Sequence, residues 1–539
     1  MTLFWKEARK ILNDQSFWIS VNDLKAYANA FYGLIPGGVS VLDDTDSDIQ
    51  VPNDINSFLW GQYVVPTEGG VWQKSNWQNI RNINYFMTHY QSVQAAEADV
   101  NIYVAEMRFF RALEYFNKIQ LLGDVPWLEV DLNVDSEELY GPKMKRNQVF
   151  QKIIEDLDFA IQWLPEAGSE EANRLNKDIA RHVKARFCLN EGTHYKYHDE
   201  LEYASEAEKW LQMAATESDK LITSGRYEIY NTGHPQEDYF NMYRIDDKSD
   251  LKEAVLYVDY KTNIREHNMA AAGREAGCGF SKSFVESFLC SDGLPISLSN
   301  KYLGDETMRK ETANRDPRLK QLILTNDFPT NVTDDLKDST FVVNEDEFIT
   351  QHCFTGYRPI KGFNPIYSQA LYMKSSFDGI AYRYAETLLI NAEAKAELNT
   401  ITNADLDRTV NQLRDRVGMP HLTVNVGFTD PKWPDWGYSL SPVLQEIRRE
   451  RCIELAGEGF RFNDLKRWKA GKLLNNVLTY VGKRKPDGNL AIVYPNYTNP
   501  DLSYQAGKSR TWEDKMYLYP IPTGELQRNP QLLPQNPGW

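Results

Sequence analysis

Apolar side chains recur every three or four residues through most of residues 1–225, a spacing typical of amphipathic helices. It predicts helices over residues 22–34, 97–122, 147–164, 176–198 and 204–223, and a further one beginning near Trp77, whose ring is expected in the core. In the longest helix, one stripe of apolar residues should be buried: Met107, Phe110, Leu113 and Phe116. Gly123 then provides a stop signal. The N-terminal region is therefore predicted to consist of helical hairpins.

The helical rhythm breaks between residues 226 and 377, where Gly, Pro and Asn separate short apolar runs. This part is predicted to be a long, irregular, ligand-facing insertion with few short strands, because long loops in compact proteins are often functional. Helical spacing resumes over residues 380–398 and 406–417, and the tail after residue 471 is largely irregular. The chain is thus predicted to be mainly α-helical, in four regions: 1–225, 226–377, 378–470 and 471–539.

Acidic and basic residues alternate along a helical pattern between residues 443 and 468. Four glutamates follow one another at intervals of four residues, and six cations accompany them: Glu446, Glu450, Glu454 and Glu458, with Arg448, Arg449, Arg451, Arg461, Lys466 and Arg467. Gly457 and Gly459 should end this helix, and a second short helix should begin near Asn463. Like charges at this spacing repel one another unless cations lie between them.

Two hypotheses explain these acids. Glu454 and Glu458 could form the acid/base pair of an all-α glycoside hydrolase or lyase, since such enzymes use two carboxyl groups. Alternatively, they belong to a buried Arg–Glu network. We favour the network, because carboxylates matched by arginines have depressed pKa values and make poor proton donors.

Three segments together resemble one family. Residues 450–468 read E-R-C-I-E-L-A-G-E-G-F-R-F-N-D-L-K-R-W, residues 105–127 read A-E-M-R-F-F-R-A-L-E-Y-F-N-K-I-Q-L-L-G-D-V-P-W, and the chain closes with P-I-P-T-G-E-L-Q-R-N-P and Q-N-P-G-W. These segments are similar to signatures of the SusD/RagB family of outer-membrane nutrient-binding lipoproteins, and they occur in the family's order. The resemblance implies stacked helical hairpins like those of tetratricopeptide repeats, although the strict repeat consensus is absent.

The resemblance also implies a function. Family members capture oligosaccharides or polysaccharides at the cell surface and deliver them to a SusC-like TonB-dependent transporter, over which they act as a hinged lid. They are anchored in the outer membrane through a lipidated N-terminal cysteine. The sequence shows neither a signal segment nor that cysteine, and we expect both to precede it. A peptide-binding version of the same scaffold is the alternative.

Composition changes this picture in two ways. The chain contains 13 Trp, 30 Tyr and 24 Phe, which can fill a core or stack on sugars. Its net charge of −16 argues against nucleic acid as a partner.

The five cysteines show no C-x-x-C spacing, and pairing of Cys278 with Cys290 is left open. No nucleophile, dinucleotide or kinase motif is present, so we predict a protein that is not an enzyme.

Five ligand-binding residues are predicted from their loop positions and chemistry: Trp72, Trp60, Asp44, Arg358 and Tyr367. Trp72 follows two glycines in a loop, where an exposed ring could stack on a sugar. Asp44 belongs to the acidic loop of residues 43–48, which could be a solvated turn, a calcium site or a polar wall for hydroxyl-bearing ligands. The EF-hand pattern fails there, and a metal on Glu191, His194 and His198 is not favoured either. No cofactor is predicted.

Overall fold

The computed structural model describes residues 17–52, 56–133, 135–271, 277–492 and 510–539. Its α-helices are α1 Val21–Asn29, α2 Gln78–His89, α3 Glu97–Leu122, α4 Arg146–Trp163, α5 Lys177–Tyr197, α6 Ala207–Ser224, α7 Asp238–Met242, α8 Lys282–Ser287, α9 Met308–Thr312, α10 Arg318–Leu322, α11 Tyr384–Glu397, α12 Asn403–Asp407, α13 Val410–Arg416, α14 Pro442–Glu454, α15 Arg461–Arg467 and α16 Thr523–Arg528. Its strands are β1 Gln50–Pro52, β2 Ala254–Val258, β3 Cys278–Phe280, β4 Asn331–Val332, β5 Ser339–Thr340, β6 Gly379–Arg383, β7 Val481–Arg484 and β8 Leu490–Ile492.

The chain forms two compact units that are interleaved in sequence. The first unit combines the described residues up to Pro36 with Val64–Lys184 and Asp514–Trp539. The second combines Gly37–Tyr63 with Ala185–Glu513. The two units are defined by contacts in space, whereas the four predicted regions are defined by changes in the sequence pattern. The four-region division therefore stays a prediction.

Helix α3 organises the first unit. It packs against α1, α2 and α4, and it ends at Gly123, whose φ of 74° suits glycine. Its predicted stripe is buried at Met107, Phe110 and Phe116, while Leu113 is half-buried. The bounds predicted for this helix are confirmed. Burial of a continuous apolar face explains why 26 residues form one uninterrupted helix.

Helix α11 organises the second unit, as α3 organises the first. It packs against α6, α13 and α14, and nearly all of its residues are buried. The residues immediately before α11 form β6, which pairs antiparallel with β2. The sequence predicted a helix from residue 380 onward, and this start was wrong, because β2 recruits residues 379–383 as a strand partner.

The insertion between residues 226 and 377 contains short helices and short antiparallel strand pairs. β1 pairs with β3, and β4 pairs with β5. Side chains from this insertion build much of the second unit's buried apolar cluster, including Phe280, Phe284, Leu319, Leu322 and Ile360. The predicted fold class, mainly helical with a loop-rich insertion and few short strands, is confirmed. Within the described ranges, no helix has both the length and the apolar composition needed to cross a membrane.

Candidate functional site

The turn between α14 and α15 is fixed by the acidic loop. Ser441 caps the start of α14 through its hydroxyl oxygen, which accepts from the Leu444 amide, and Pro442 follows at the first helical position. At the other end, Oδ2 of Asp44 accepts from the Gly457 amide at 2.7 Å and Oδ1 accepts from the Arg461 amide at 2.9 Å. Burial raises the pKa of Asp44 to about 7, although these two backbone donors oppose the rise.

The Asp44 side chain is therefore buried and holds the turn between α14 and α15, and it does not belong to a solvated turn. It is 1% exposed, and the nearby Asp48 binds Nε and Nη2 of Arg461 at 2.7 and 2.8 Å. Among the described residues, no cluster of three or more His, Cys, Asp or Glu side chains could hold a metal ion. The solvated-turn interpretation is wrong for Asp44, and the absence of a cofactor stays a prediction.

Glu454 lies at the centre of a buried ion network. Its Oε1 accepts from Arg383 at 2.6 Å, and its Oε2 accepts from Arg416 at 2.6 Å and from Arg318 at 3.1 Å. Burial raises the pKa of Glu454, but the guanidinium groups of Arg416, Arg383 and Arg318 outweigh it and hold that pKa well below its ordinary value. The side chain is completely buried, so it can neither donate a proton nor meet a substrate.

Glu458 belongs to the same network at its edge. It accepts from Lys361 at 2.7 Å, from Arg383 at 2.8 Å and from the Tyr243 hydroxyl at 3.0 Å. Burial raises the pKa of Glu458, and Arg383 and Lys361 reverse that shift and lower it. The pair that a hydrolase would need is thus held as two paired carboxylates, as expected for the Arg–Glu network.

Two of the predicted ligand residues lie inside the second unit. Trp60 is 7% exposed, and its ring meets Tyr480 edge-on with 5.6 Å between ring centroids. Arg358 is 8% exposed, and burial lowers its pKa. Both side chains therefore contribute to the interior in this structure. A ligand-binding role for either stays a prediction that requires the interior to open.

Trp72 lies in the first unit beside a cleft. Its ring is half-buried and tilts against Trp77, with 5.1 Å between ring centroids. Trp77 lines a cleft of about 280 Å³, which we call the Trp77 cleft. The cleft is also lined by Lys74 just before α2, by residues of α2 and by the chain after α3: Gln78, Ile80, Arg81, Asn84, Leu128, Val130, Leu132, Asn133 and Leu139. The prediction that Trp77 is a core residue was only partly right, because its ring is half-buried.

A buried amide adds polarity to the Trp77 cleft. Asn84 is 1% exposed, and its Nδ2 donates to the Leu128 carbonyl at 2.9 Å. Within the described part of the chain, its Oδ1 has no hydrogen-bond partner. A buried acceptor without a partner is costly, and a ligand hydroxyl could satisfy it. The cleft thus combines indole surface with amide and cationic groups.

Tyr367 lies in an exposed loop of the second unit. Its side chain is 54% exposed, and Tyr372 nearby is 72% exposed. The backbone amide of Tyr367 donates to the Val332 carbonyl at 3.0 Å, which ties this loop to the β4–β5 hairpin. The structure thus presents aromatic surface on the predicted ligand-facing insertion. The ligand role of Tyr367 stays a prediction.

A model of the SusD family matches residues 223–539, more than half of the chain. The chain belongs to the SusD family. It is similar to SusD-like protein P2 of Formosa agariphila, with 24% identity over 98% of this chain and 95% of that protein. Among solved structures, a SusD-like protein from Bacteroides fragilis covers 98% of this chain and 99% of its own at 24% identity and a TM-score of 0.74.

A second solved relative is a SusD-like carbohydrate-binding protein, also from Bacteroides fragilis. It is 21% identical, with a TM-score of 0.71, and the match covers 96% of this chain and all of the other. The SusD-family match includes the whole Arg–Glu network and begins after the Trp77 cleft. The network therefore lies in the segment by which the family is recognised.

Several features of the site were not visible in the SusD-type sequence motifs. Asn84 lies in a helix without any motif of its own, and only the fold reveals that this residue lines a cleft. The structure also shows Cys278 and Cys290 as free thiols, so the disulfide left open by the sequence is not formed. His198 places Nε2 2.9 Å from the Lys466 carbonyl and Nδ1 3.1 Å from Glu200, which occupies both ring nitrogens in structural contacts.

Proposed function

We propose that this protein is a non-catalytic glycan-binding protein of the cell surface, which captures an oligosaccharide or polysaccharide for uptake. Membership of the SusD family supports the proposal, and so does the likeness to a carbohydrate-binding member of known structure. The observation that carries it is the pairing of Trp72 with Trp77 beside a cleft that Asn84 also lines.

This arrangement suits a sugar for a physical reason. One face of a pyranose ring is apolar and packs on an indole, whereas its hydroxyl groups need both donors and acceptors. The Trp77 cleft offers an unpartnered acceptor at Asn84 and donors at Lys74 and Arg81 among the described residues. A small cleft with few polar groups predicts weak binding, with a dissociation constant of about 1 μM to 1 mM.

A binding role is favoured over hydrolysis by the state of the acids. Glu454 and Glu458 were the candidate catalytic pair, and both are paired and have lowered pKa values. A general acid needs a pKa raised toward the working pH and contact with substrate. The expected outcome of incubation with polysaccharide is therefore binding without new reducing ends.

We further propose that the captured glycan passes to a TonB-dependent transporter of the SusC type, and that a lipid anchor holds the protein in the outer membrane. The basis for both is the family resemblance. Weak binding fits such a role physically, because a delivery protein must release its cargo. Co-purification with a SusC-type transporter would test this step separately from glycan binding.

Calorimetric titration with soluble polysaccharides tests the capture role. Trp72→Ala should weaken binding about tenfold or more, because it removes a central aromatic anchor. The matched control is Trp163→Ala, a half-buried tryptophan that packs on Phe159 and does not line the Trp77 cleft. This control should keep the wild-type affinity, and the melting temperature of each variant reports any loss of folding.

Three outcomes would contradict the proposal. Equal affinity of Trp72→Ala and wild type would remove Trp72 from the site. New reducing ends in the titrated samples would show catalysis. Binding of peptides but of no glycan would favour the peptide-uptake alternative, for which we test a mixture of tripeptides to decapeptides under the same conditions.

A further inference from the structure

The second unit contains a larger cleft that no part of the proposed function uses. Its volume is about 530 Å³, within the range of small-molecule sites. Its walls come from residues 48–49, α8, the loop around Trp433, one face of α14, the start of α15 and the chain after α15. We call it the Trp433 cleft. All of these elements belong to the second unit, so the cleft is complete within one compact body.

The Trp433 ring is a fixed, partly exposed surface in this cleft. Its Nε1 donates to Oε1 of Glu446 at 2.7 Å, and its backbone amide donates to the Asp430 carbonyl at 3.1 Å. The ring is half-buried, whereas Trp436 is 5% exposed and donates to Gln445. An indole held by its own hydrogen bond loses little freedom when a ligand stacks on it. Trp433 is thus a preorganised platform.

The charges around the cleft are already balanced. Five cations line it, and four of them are paired with a carboxylate: Lys432 with Glu286 at 2.9 Å, Arg448 with Glu397 at 2.9 Å, Arg449 with Asp430 at 2.6 Å and Arg461 with Asp48 at 2.7 Å. The fifth, Lys472, is exposed to solvent. An anionic ligand would have to compete with these internal carboxylates. A neutral ligand meets no such cost.

The remaining lining is rich in hydroxyl and amide groups. Ser283 and Ser287 of α8 and Asn476 of the opposite wall line the cleft with Trp433. Such groups exchange hydrogen bonds with hydroxyls in either direction. Each of them already has a hydrogen-bond partner inside the protein, and its remaining lone pairs or amide protons are left for a ligand. Aromatic surface, neutral polar groups and balanced charge together describe a site for a neutral polyhydroxylated ring.

We propose that the Trp433 cleft is a second saccharide-binding site, which takes a neutral sugar ring on the face of Trp433. The proposal rests on the glycan-binding function, since it assumes that the ligand of the protein is a glycan. It extends that function from one contact point to two, one in each compact unit.

Fluorine NMR of protein labelled with 5-fluorotryptophan reads the two sites separately. Trp72→Phe, Trp433→Phe and Trp163→Phe assign the three resonances. The probes are laminarihexaose, cellohexaose, maltohexaose, xylohexaose and mannohexaose, each titrated to millimolar concentration. We expect at least one hexasaccharide to shift the Trp433 resonance saturably, while the Trp163 resonance stays in place.

A blocking variant keeps the test independent of Trp433 itself. Ser287→Tyr places a larger side chain in the Trp433 cleft and should abolish the saturable shift of Trp433. The shift of the Trp72 resonance should remain in this variant. If the Trp433 shift persists unchanged in Ser287→Tyr, the sugar does not enter the cleft and the inference is wrong.

The outcomes separate this inference from the proposed function. A shift at Trp72 but not at Trp433, with every probe, overturns the second site and leaves the capture role intact. A shift at Trp433 alone supports the second site and removes Trp72 from the primary one. No shift at either resonance overturns both. A sulfated and a uronic hexasaccharide are titrated as charged probes beside the five neutral ones, and a Trp433 shift seen only with a charged probe overturns the assignment to neutral sugars.

Discussion

At the scale of single residues, Glu454 is the side chain on which the second unit's charge balance depends. It is fully buried and accepts hydrogen bonds from Arg383, Arg416 and Arg318. Glu454→Gln keeps the shape but removes the one carboxylate that all three buried guanidinium groups share, although each keeps another carboxylate partner. We expect the free energy of unfolding to fall by about 3–5 kcal/mol, measured by equilibrium urea denaturation.

The control for this prediction is a glutamate at the surface of the same unit. Glu228 pairs with Lys252 at 3.3 Å, and both side chains are about two-thirds exposed. Glu228→Gln should change the free energy of unfolding by no more than about 0.5 kcal/mol, because exposed ion pairs contribute little. A loss below about 1 kcal/mol for Glu454→Gln would mean that solvent reaches the network.

His267 makes the stability of the protein depend on pH. It is 5% exposed, its Nδ1 accepts from the Met269 amide at 3.1 Å, and its Nε2 lies 2.9 Å from the Phe377 carbonyl. Burial lowers the pKa of His267 from its ordinary value of 6.5 to about 4. As pH falls from 6.5 toward 4, the imidazole of His267 binds a proton in the unfolded chain but not in the folded protein. The stabilising contribution present above pH 6.5 is therefore lost over this range.

The His267→Gln variant tests that sign. Wild type should lose stability on acidification with a slope of up to about 1.4 kcal/mol per pH unit from this residue. His267→Gln should lose this component, and His421→Gln, at an exposed position, should retain it. Denaturation midpoints measured between neutral and mildly acidic pH give the slopes. Parallel curves for His267→Gln and wild type would contradict the assignment.

At the scale of elements, the turn between α14 and α15 depends on the absence of a side chain at Gly457. Its φ is +82°, and a Cβ at this position would lie 2.4 Å from the Val41 carbonyl oxygen. Gly427 has a similar φ of +80° with open space around it. Gly457→Ala and Gly427→Ala therefore share the backbone strain, of about 1–2 kcal/mol, but only Gly457→Ala adds a collision with the main chain.

We expect Gly457→Ala to reduce the free energy of unfolding by at least about 2 kcal/mol more than Gly427→Ala does. Urea denaturation of the two variants side by side gives this difference. Equal losses would mean that the acidic loop moves away from the turn at little cost. In that case Asp44 would not hold the turn as its hydrogen bonds indicate.

The elements show what the sequence could and could not predict. The bounds of α3 were predictable because a continuous apolar stripe and a terminal glycine are local signals. The start of α11 was not, because β6 forms only by pairing with β2 over 120 residues earlier. The buried position of Asp44 was hidden for the same reason, since the Gly457 amide that it binds lies 413 residues away.

The residues of the candidate site also differ in whether local sequence could predict them. The exposure of Tyr367 followed from its place in an irregular insertion, and Trp72 was singled out because it follows two glycines. The Trp433 cleft has no local signature, because its walls come from six separate parts of the chain. Trp60 and Arg358 were chosen by their loop positions and residue types, and their burial could not be predicted, since a loop-like composition does not reveal what packs over it.

At the scale of the whole molecule, net charge separates the classes of ligand. The chain carries 60 basic and 76 acidic residues, a net charge of −16. A neutral glycan feels no net attraction or repulsion from this field. Its dissociation constant should therefore change by less than about twofold between low and high salt, because screening acts only on charged ligands.

Calorimetric titration of the best-binding glycan in about 0.05 M and about 0.5 M sodium chloride measures that change. An acidic glycan would be repelled by the net charge, and screening would tighten its binding at high salt. A basic peptide would be attracted, and screening would weaken its binding. The sign of the salt effect therefore distinguishes the neutral sugar that the Trp433 cleft favours from an anionic glycan and from a cationic peptide. A clear change in either direction would contradict a neutral ligand at both the Trp77 cleft and the Trp433 cleft.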